Sequence, residues 1–297
     1  MKVSIVTVAF NAAATIEETI RSVLAQEGVE LEYIVVDGGS HDGTAAIVQR
    51  YAPMLSSWVS EPDRGQADAL NKGFARASGH VLGFLNADDL LLPGALRTVA
   101  DAFEREPQIE LVYGEVEWID AAGASTGFHA GNISSLDEVL DIYGVWWAQR
   151  QWVQPEVFLR RALKDRVGAF DTRYHLAFDL DFWVRCFRQG ARVSRVSQRL
   201  AKFRRHPAQK SSAAGEAADE IRAIAKHHLG DGANVTPALR RRLHAQLSYD
   251  AYQAGCTAGG GFFGAFLRHP QWLFAPEARA RARAACAKLL GSARTSG

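Results

Sequence analysis

Three short apolar runs in the N-terminal third of the chain each end on acids or amides. Residues 3–10 stop at Asn11, Tyr33-Ile34-Val35-Val36 stops at Asp37, and residues 81–85 stop at Asn86-Ala87-Asp88-Asp89. If these runs are parallel strands, the polar ends face one crevice outside the carboxyl edge of the sheet, where ligands of open α/β folds bind. The first turn, Ala9-Phe10-Asn11-Ala12-Ala13, has no glycine, and neither GxGxxG nor GxxxxGK[ST] occurs. Dinucleotide-dependent hydride transfer and P-loop phosphoryl chemistry are therefore poor fits. Further along stand Asp63, Arg64, Asp68 and Asn71. Asp68 and Asn71, three apart, share a helix face opposite Leu70 and Phe74. Asp179 and Asp181 stand two apart at the start of a helix, so only one can face a crevice. Both could equally serve the helix dipole. Trp146, Trp147 and Trp152 offer flat faces to a sugar ring or to a core, and Gln154, Arg204, Arg205 and His206 complete the polar candidates.

The elements that must hold these residues alternate. A strand over residues 3–10 leads to a helix in which Thr15 and Glu18 have capping-box spacing and Ile16, Ile20, Val23 and Leu24 keep the helical period. Strand 33–36 and the turn Gly38-Gly39-Ser40-His41-Asp42-Gly43 lead to a helix from Thr44 and a short strand near Trp58. A helix over 66–78, strands 81–85 and 111–118, and a helix begun by Pro93 between them follow. This alternation predicts βαβ units in an open, mostly parallel α/β sheet flanked by helices. After Asp120 the pattern loosens through the Gly/Ser-rich residues 123–135, a strand at 200–203 follows, and 213–297 read as helical. We expect residues 1–120 and 121–212 to be two halves of one domain, and 213–297 to be a C-terminal helical extension.

Composition narrows the class. Of the 297 residues, 47% are hydrophobic and 23% charged, which excludes a disordered or fibrous chain. The three cysteines form no CxxC pair, so packing roles in a reducing compartment are expected. The first residues read as a strand rather than a signal peptide, and no apolar run is long enough to span a membrane. The net charge of +1 is uneven: residues 236–297 carry nine Lys/Arg and two acids, leaving −6 for the rest. The acidic body disfavours nucleic acid. The basic tail, with its aromatic run Phe262-Phe263-Gly264-Ala265-Phe266-Leu267-Arg268-His269-Pro270-Gln271-Trp272-Leu273-Phe274, suits an anionic membrane surface, a packed subdomain or an oligomer interface.

The runs ending at Asn11, Asp37 and Asp89, the segment from Glu61 to Gly73, Gln154-Pro155-Glu156 and Phe178-Asp179-Leu180-Asp181 occur in the order found in the family 2 glycosyltransferases, which this chain resembles over residues 3–212. The resemblance implies a GT-A fold and an inverting transfer of sugar from a UDP-, GDP- or dTDP-linked donor to a carbohydrate or lipid-linked hydroxyl. It implies a cytoplasmic enzyme, peripheral on the inner face of the cell membrane. It places Thr7, Ala9, Asn11, Asp37, Asp63, Arg64, Asp68, Asn71, Asn86 and Ala87 on the donor side, and Trp152, Gln154, Asp181 and Arg205 on the acceptor side. It makes Asp179 the general base. Asp88 is the expected ligand of Mn²⁺ or Mg²⁺, with Asp89 and His206 as further candidates, because these cations combine one or two carboxylates with substrate phosphate oxygens. The family's usual Asp-x-Asp is Asn86-Ala87-Asp88 here, which leaves position 86 without charge. A sugar-nucleotide-forming nucleotidyltransferase and a non-catalytic binding module are the rival classes.

Overall fold

In the computed structural model, residues 1–207, 209, 214–230, 235–255 and 262–294 are described. They divide into two compact units, Met1–Ile221 and Arg222–Gly297. The division falls inside a helix, nine residues beyond the composition change at 212 (221 − 212).

In the first unit, β1 (Lys2–Ala9), β2 (Glu30–Asp37), β3 (Ser57–Ser60) and β4 (Val81–Asn86) form the parallel half of the sheet, with α1 (Ile16–Leu24), α2 (Thr44–Tyr51) and α3 (Gln66–Phe74) as crossovers. Every residue of β4 but the last is buried, as are the last seven of β1 and the last six of β2. Runs of Val, Ile and Leu with no polar alternation are what a sheet covered on both faces requires. Close approach matters at Gly73, where a Cβ would collide with Val6, so α3 lies directly on β1.

The other half departs from the expected parallel arrangement. β5 (Leu90–Leu91) and α4 (Ala95–Arg105) lead to β6 (Leu111–Ile119) and β7 (Ser125–His129). After α5 (Leu136–Leu140) and a π-turn at Ile142–Trp146, β8 (Val157–Arg160) inserts antiparallel between β4 and β6. α6 (Arg161–Val167), α7 (Phe178–Arg188) and β9 (Val193–Arg204) complete a mixed sheet of order β3-β2-β1-β4-β8-β6-β9-β5, with β7 on β6. β8 has four residues, too few to show a period, and it follows Pro155; the insertion is therefore invisible in the sequence. β9 runs twelve residues where a four-residue strand is expected, because it pairs with β6 from Leu111 opposite Val193 to Ile119 opposite Arg204, with Arg195 and Arg199 beside Glu115 and Glu117.

Two local expectations change. The Thr15 side chain makes no capping bond to α1; Glu18 instead receives the Arg204 guanidinium at 2.5 Å. The helix from Gln66 ends at Phe74 rather than 78.

α8 (Ala214–Gly230) begins in the first unit and runs into the second, followed by α9 (Pro237–Gly255), α10 (Phe262–Arg268) and α11 (Pro276–Arg294). The second unit has its own core: Trp272 is fully buried against Tyr249, Tyr252 and a stacked His269. Among the described residues no helix is long and apolar enough to cross a membrane. Cys256 lies outside the described residues, as do the side chains of Phe262 and Phe263.

Candidate active site

Strand register brings the polar strand ends together. Ala9 of β1 pairs with Asp37 of β2, and Val8 pairs with Asn86 of β4, so all three strands stop at the same level. A cleft of about 1760 Å³ opens there, and Asn11, Asp63, Asn86 and Asp88 line it beside the strand ends. Gln154, Asp179, Arg205 and His206 line it from elsewhere in the chain.

The loops beyond β1 and β2 are laced together by short side chains. Asn11 sits in left-handed conformation at φ 50°, which asparagine tolerates better than most residues. Its Oδ1 accepts the His41 N–H at 2.9 Å, and its own N–H donates to Ser40 Oγ at 2.7 Å. Ala13 N–H donates to Asp42, and Ala12 N–H to Thr44. Gly38 lets Asp63 approach closely: a Cβ there would lie 2.5 Å from Asp63 Oδ2, so a larger residue would displace that side chain. Asp63 in turn accepts the Gly65 N–H at 2.8 Å, which shapes the entry to α3.

Asp88 and His206 meet across the cleft floor, with Oδ2 and Nε2 3.1 Å apart and each side chain about one quarter exposed. The neighbouring Asp89 points the other way. It is 1% exposed, its Oδ1 accepts the Arg204 N–H at 3.0 Å and its Oδ2 accepts from Asn86 at 3.3 Å. Burial, and then the charge of Asp88, push its carboxyl well above the usual range against the pull of Arg204 and Asn86. Asp89, a candidate metal ligand on sequence grounds, is buried between Arg204 and Asn86 and does not line the cleft. Arg204 is also turned inward: its guanidinium serves the carbonyls of Asp88, Asp120 and Ala121 besides Glu18. Arg205 is exposed, 4.0 Å over the Trp118 ring. Among the described residues no three His, Cys, Asp or Glu side chains form a metal cluster. Asp88 and His206 nevertheless supply the oxygen and nitrogen that Mn²⁺ accepts, and a diphosphate would complete the shell.

At the start of α7, Asp179 faces the cleft. Its Oδ1 accepts the Leu180 N–H at 2.8 Å and its Oδ2 accepts from Gln154 at 3.3 Å. Asp181, expected on the acceptor side, is buried away from the cleft and bound to Arg185 at 2.8 Å. The helical period separates the two acids in this way. Glu220 of α8 holds the chain that enters α7, accepting the N–H groups of His175, Leu176 and Ala177 at 2.7–2.9 Å.

Several expected donor contacts are not among the lining residues. Thr7 is fully buried and accepts from Tyr33. Asp37 is fully buried too, its carboxylate engaged by Ser40 and Ser60. Arg64 pairs with Asp68 in the open, and Asn71 clasps the backbone of Phe170. Ala9 and Ala87 do line the cleft. Trp152 lines it as well but is 2% exposed, wedged among Tyr113, Trp183 and Phe187. The most exposed aromatic faces in the cleft are those of Trp147 and of Phe10, which is 62% exposed, beside a half-buried Trp146. Sequence reading missed Phe10, Gln66 and Glu220. Phe10 reads as the last residue of an apolar strand, and the other two act only across the fold.

The mixed sheet flanked by helices is a GT-A-like fold. Residues 4–128 match the family model Glycosyl transferase family 2. The PGL/p-HBAD biosynthesis glycosyltransferase Rv2957 of Mycobacterium tuberculosis is 34% identical over 197 residues, 65% of this chain and 72% of that protein. The uncharacterized glycosyltransferase Rv1514c of the same organism is 30% identical over 190 residues, 62% and 68% of the two chains. Among solved structures, S. aureus TarS 1–349 in complex with UDP-GlcNAc superposes with a TM-score of 0.64 at 20% identity, covering 92% of this chain and 78% of that one. The mannosyltransferase PcManGT from Pyrobaculum calidifontis, in complex with GDP-Man and Mn²⁺, gives 0.61 at 21%, covering 94% and 82%. The chain belongs to glycosyltransferase family 2 and is a glycosyltransferase.

Proposed function

We propose that this enzyme transfers a sugar, with inversion, from a nucleoside diphosphate sugar to an acceptor hydroxyl, with Asp179 as general base. The observation that carries the reading is that one cleft contains both the Asp88–His206 pair and the Asp179 carboxylate, presented by different elements. Asp88 and His206 would hold Mn²⁺ or Mg²⁺, which when bound would supply positive charge to the departing diphosphate. Asp179 removes the acceptor proton as the new bond forms, and a base opposite the leaving group suits in-line displacement. Phe10 offers its exposed ring to the nucleobase, and the Asn11, Asp63 and Asn86 side chains surround the donor. The bound donors of the two structural neighbours, UDP-GlcNAc and GDP-Man, support a nucleotide-sugar donor without choosing its base.

The acceptor is a carbohydrate or a lipid-linked glycan, supported by the aromatic wall of Trp146 and Trp147. Exposed Leu267, Leu273 and Phe274, with Arg241 5.8 Å from the Phe274 ring, support a peripheral site on an anionic membrane. Salt-sensitive co-sedimentation with phosphatidylglycerol vesicles tests that placement, and no sedimentation at low salt would refute it.

Thermal shift with UDP, GDP, dTDP and CMP, each with and without Mn²⁺, tests the donor assignment. A ligand at a hundred times its Kd should stabilise the protein by about 2.7 kcal/mol. A melting point unmoved by every nucleotide refutes it.

A further inference from the structure

Four side chains from four elements meet between the Asp88 end of the cleft and the base. Gln66 opens α3, Asn86 ends β4, Gln154 stands in the short turn before β8, and Asp179 opens α7. Gln66 Nε2 donates to Asn86 Oδ1 at 2.5 Å and to Gln154 Oε1 at 3.2 Å. Asn86 Nδ2 donates to the same Gln154 oxygen at 3.1 Å and to Asp89 Oδ2 at 3.3 Å. With two N–H groups on its oxygen, the Gln154 amide can present only its NH₂ to Asp179 Oδ2, 3.3 Å away.

We propose that Gln154 is a positioning residue for sugar transfer, holding the Asp179 carboxylate through an amide whose orientation Gln66 and Asn86 impose. This rests on the reading of Asp179 as the base. One carboxylate oxygen is tied to the Leu180 N–H and the other to Gln154, so the plane of the carboxylate is set relative to α7. Fixing a reacting group before the reaction is a large share of enzymatic acceleration. The same network accounts for asparagine at 86, where the family usually has aspartate. An aspartate there could accept from Gln66, but as a carboxylate it could donate to neither Gln154 nor Asp89. It would also set another carboxylate beside Asp88, in a corner that already buries the Asp89 carboxyl. Asn86 is thus a junction that keeps Gln154 turned toward the base.

The test compares Gln154→Glu, Gln154→Met and Asp179→Asn with wild type. Turnover is read as UDP or GDP released when water accepts the sugar from UDP-glucose, UDP-N-acetylglucosamine or GDP-mannose, since water also needs its proton removed. Nucleotide affinity is read by calorimetry with UDP and GDP in Mn²⁺, and folding by thermal melts. Gln154→Met loses the tie and should lower kcat about tenfold. Gln154→Glu keeps the acceptor that Gln66 and Asn86 use but sets a carboxylate against Asp179; the two would then share a proton, and kcat should fall on the order of 10²-fold. Nucleotide affinity should stay within about threefold in both.

A purely structural role predicts the reverse order, because glutamate preserves the shape and the accepted bonds. Glutamate milder than methionine, or lost nucleotide affinity in both, overturns the proposal. If the glutamate variant does not fold, wild-type kcat in Gln154→Met overturns it. An Asp179→Asn enzyme as fast as wild type removes the base assignment itself. A dead Asp179→Asn beside an unaffected Gln154→Met removes only the positioning role.

Discussion

The two walls of the cleft are built differently. On the side proposed to hold the donor, strands in register stop at one level, and the two loops beyond them are pinned together where the Asn11, Asp42 and Thr44 side chains accept the N–H groups of His41, Ala13 and Ala12. On the side proposed to take the acceptor, no strand end carries the proposed base. Asp179 stands at a helix start and is tied to Gln154, and the chain leading to it is held by Glu220. The first wall is carried by the parallel half of the sheet and the two loops that leave it. The second depends on side chains from elements outside that half, the turn before β8, α7 and α8, so single substitutions can misplace it. Changes on the donor wall should therefore appear in nucleotide affinity or stability, and changes on the acceptor wall in turnover at constant affinity.

The largest expected effect tests the acceptor wall. Asp179→Asn should lower kcat by on the order of 10²–10⁴ while nucleotide affinity stays within about threefold. Asp181→Asn should leave turnover near wild type and lower the melting point instead, because Asp181 anchors Arg185, which also caps the carbonyls of Val167 and Ala169. A dead Asp181→Asn beside an active Asp179→Asn would exchange the two roles. On the donor wall, Asp88→Ala should weaken Mn²⁺-dependent nucleotide binding about 10–100-fold with little change in melting point. Calorimetry showing equal affinity with and without the carboxylate would remove Asp88 from the donor site.

Stability of the parallel half offers a smaller, pH-dependent test. Burial pushes the Glu32 carboxyl up, but hydrogen bonds from Ser4, from the Ser78 N–H and hydroxyl, and from Lys2 outweigh it and hold the group at about 2. A carboxyl held below its unfolded value stabilises the fold fully above about pH 4.5, and the contribution is lost as pH falls toward 2. Glu32→Gln should therefore cost about 2–3 kcal/mol at pH 7, and its deficit in urea melts should shrink below pH 4. A deficit independent of pH would mean that shape, not charge, is what Glu32 supplies. Smallest of all, Glu220→Gln replaces a charge-assisted grip on three N–H groups by a neutral one, worth about 1 kcal/mol locally. Hydrogen exchange at the amides of 175–177 should quicken about fivefold with nucleotide affinity unchanged, and unchanged exchange would show that the entry to α7 is held by other contacts.

The donor half was largely legible in the sequence, since buried parallel strands write themselves as unbroken Val, Ile and Leu runs and their ends as polar residues. The antiparallel insertion of β8 was not, because four residues after a proline carry no period. Nor could one-dimensional reading divide Asp88 from Asp89. It located the strand end, but which carboxylate faces the cleft was decided by Arg204, 115 positions away, whose backbone N–H draws Asp89 inward. Trp152 shows the same limit: a tryptophan near the acceptor side is visible from spacing, while its burial against Trp183 and Phe187 depends on where α7 packs. The sequence alone determined the alternating α/β order, the crevice at the strand ends and the spacing that separates Asp179 from Asp181, because these follow from strand burial and the helical period. Only the tertiary structure decided which polar groups meet there. His206 reaches Asp88, Gln154 reaches Asp179 and Glu220 grips the entry to α7, because a hydrogen bond depends on distance in space and carries no trace of separation along the chain.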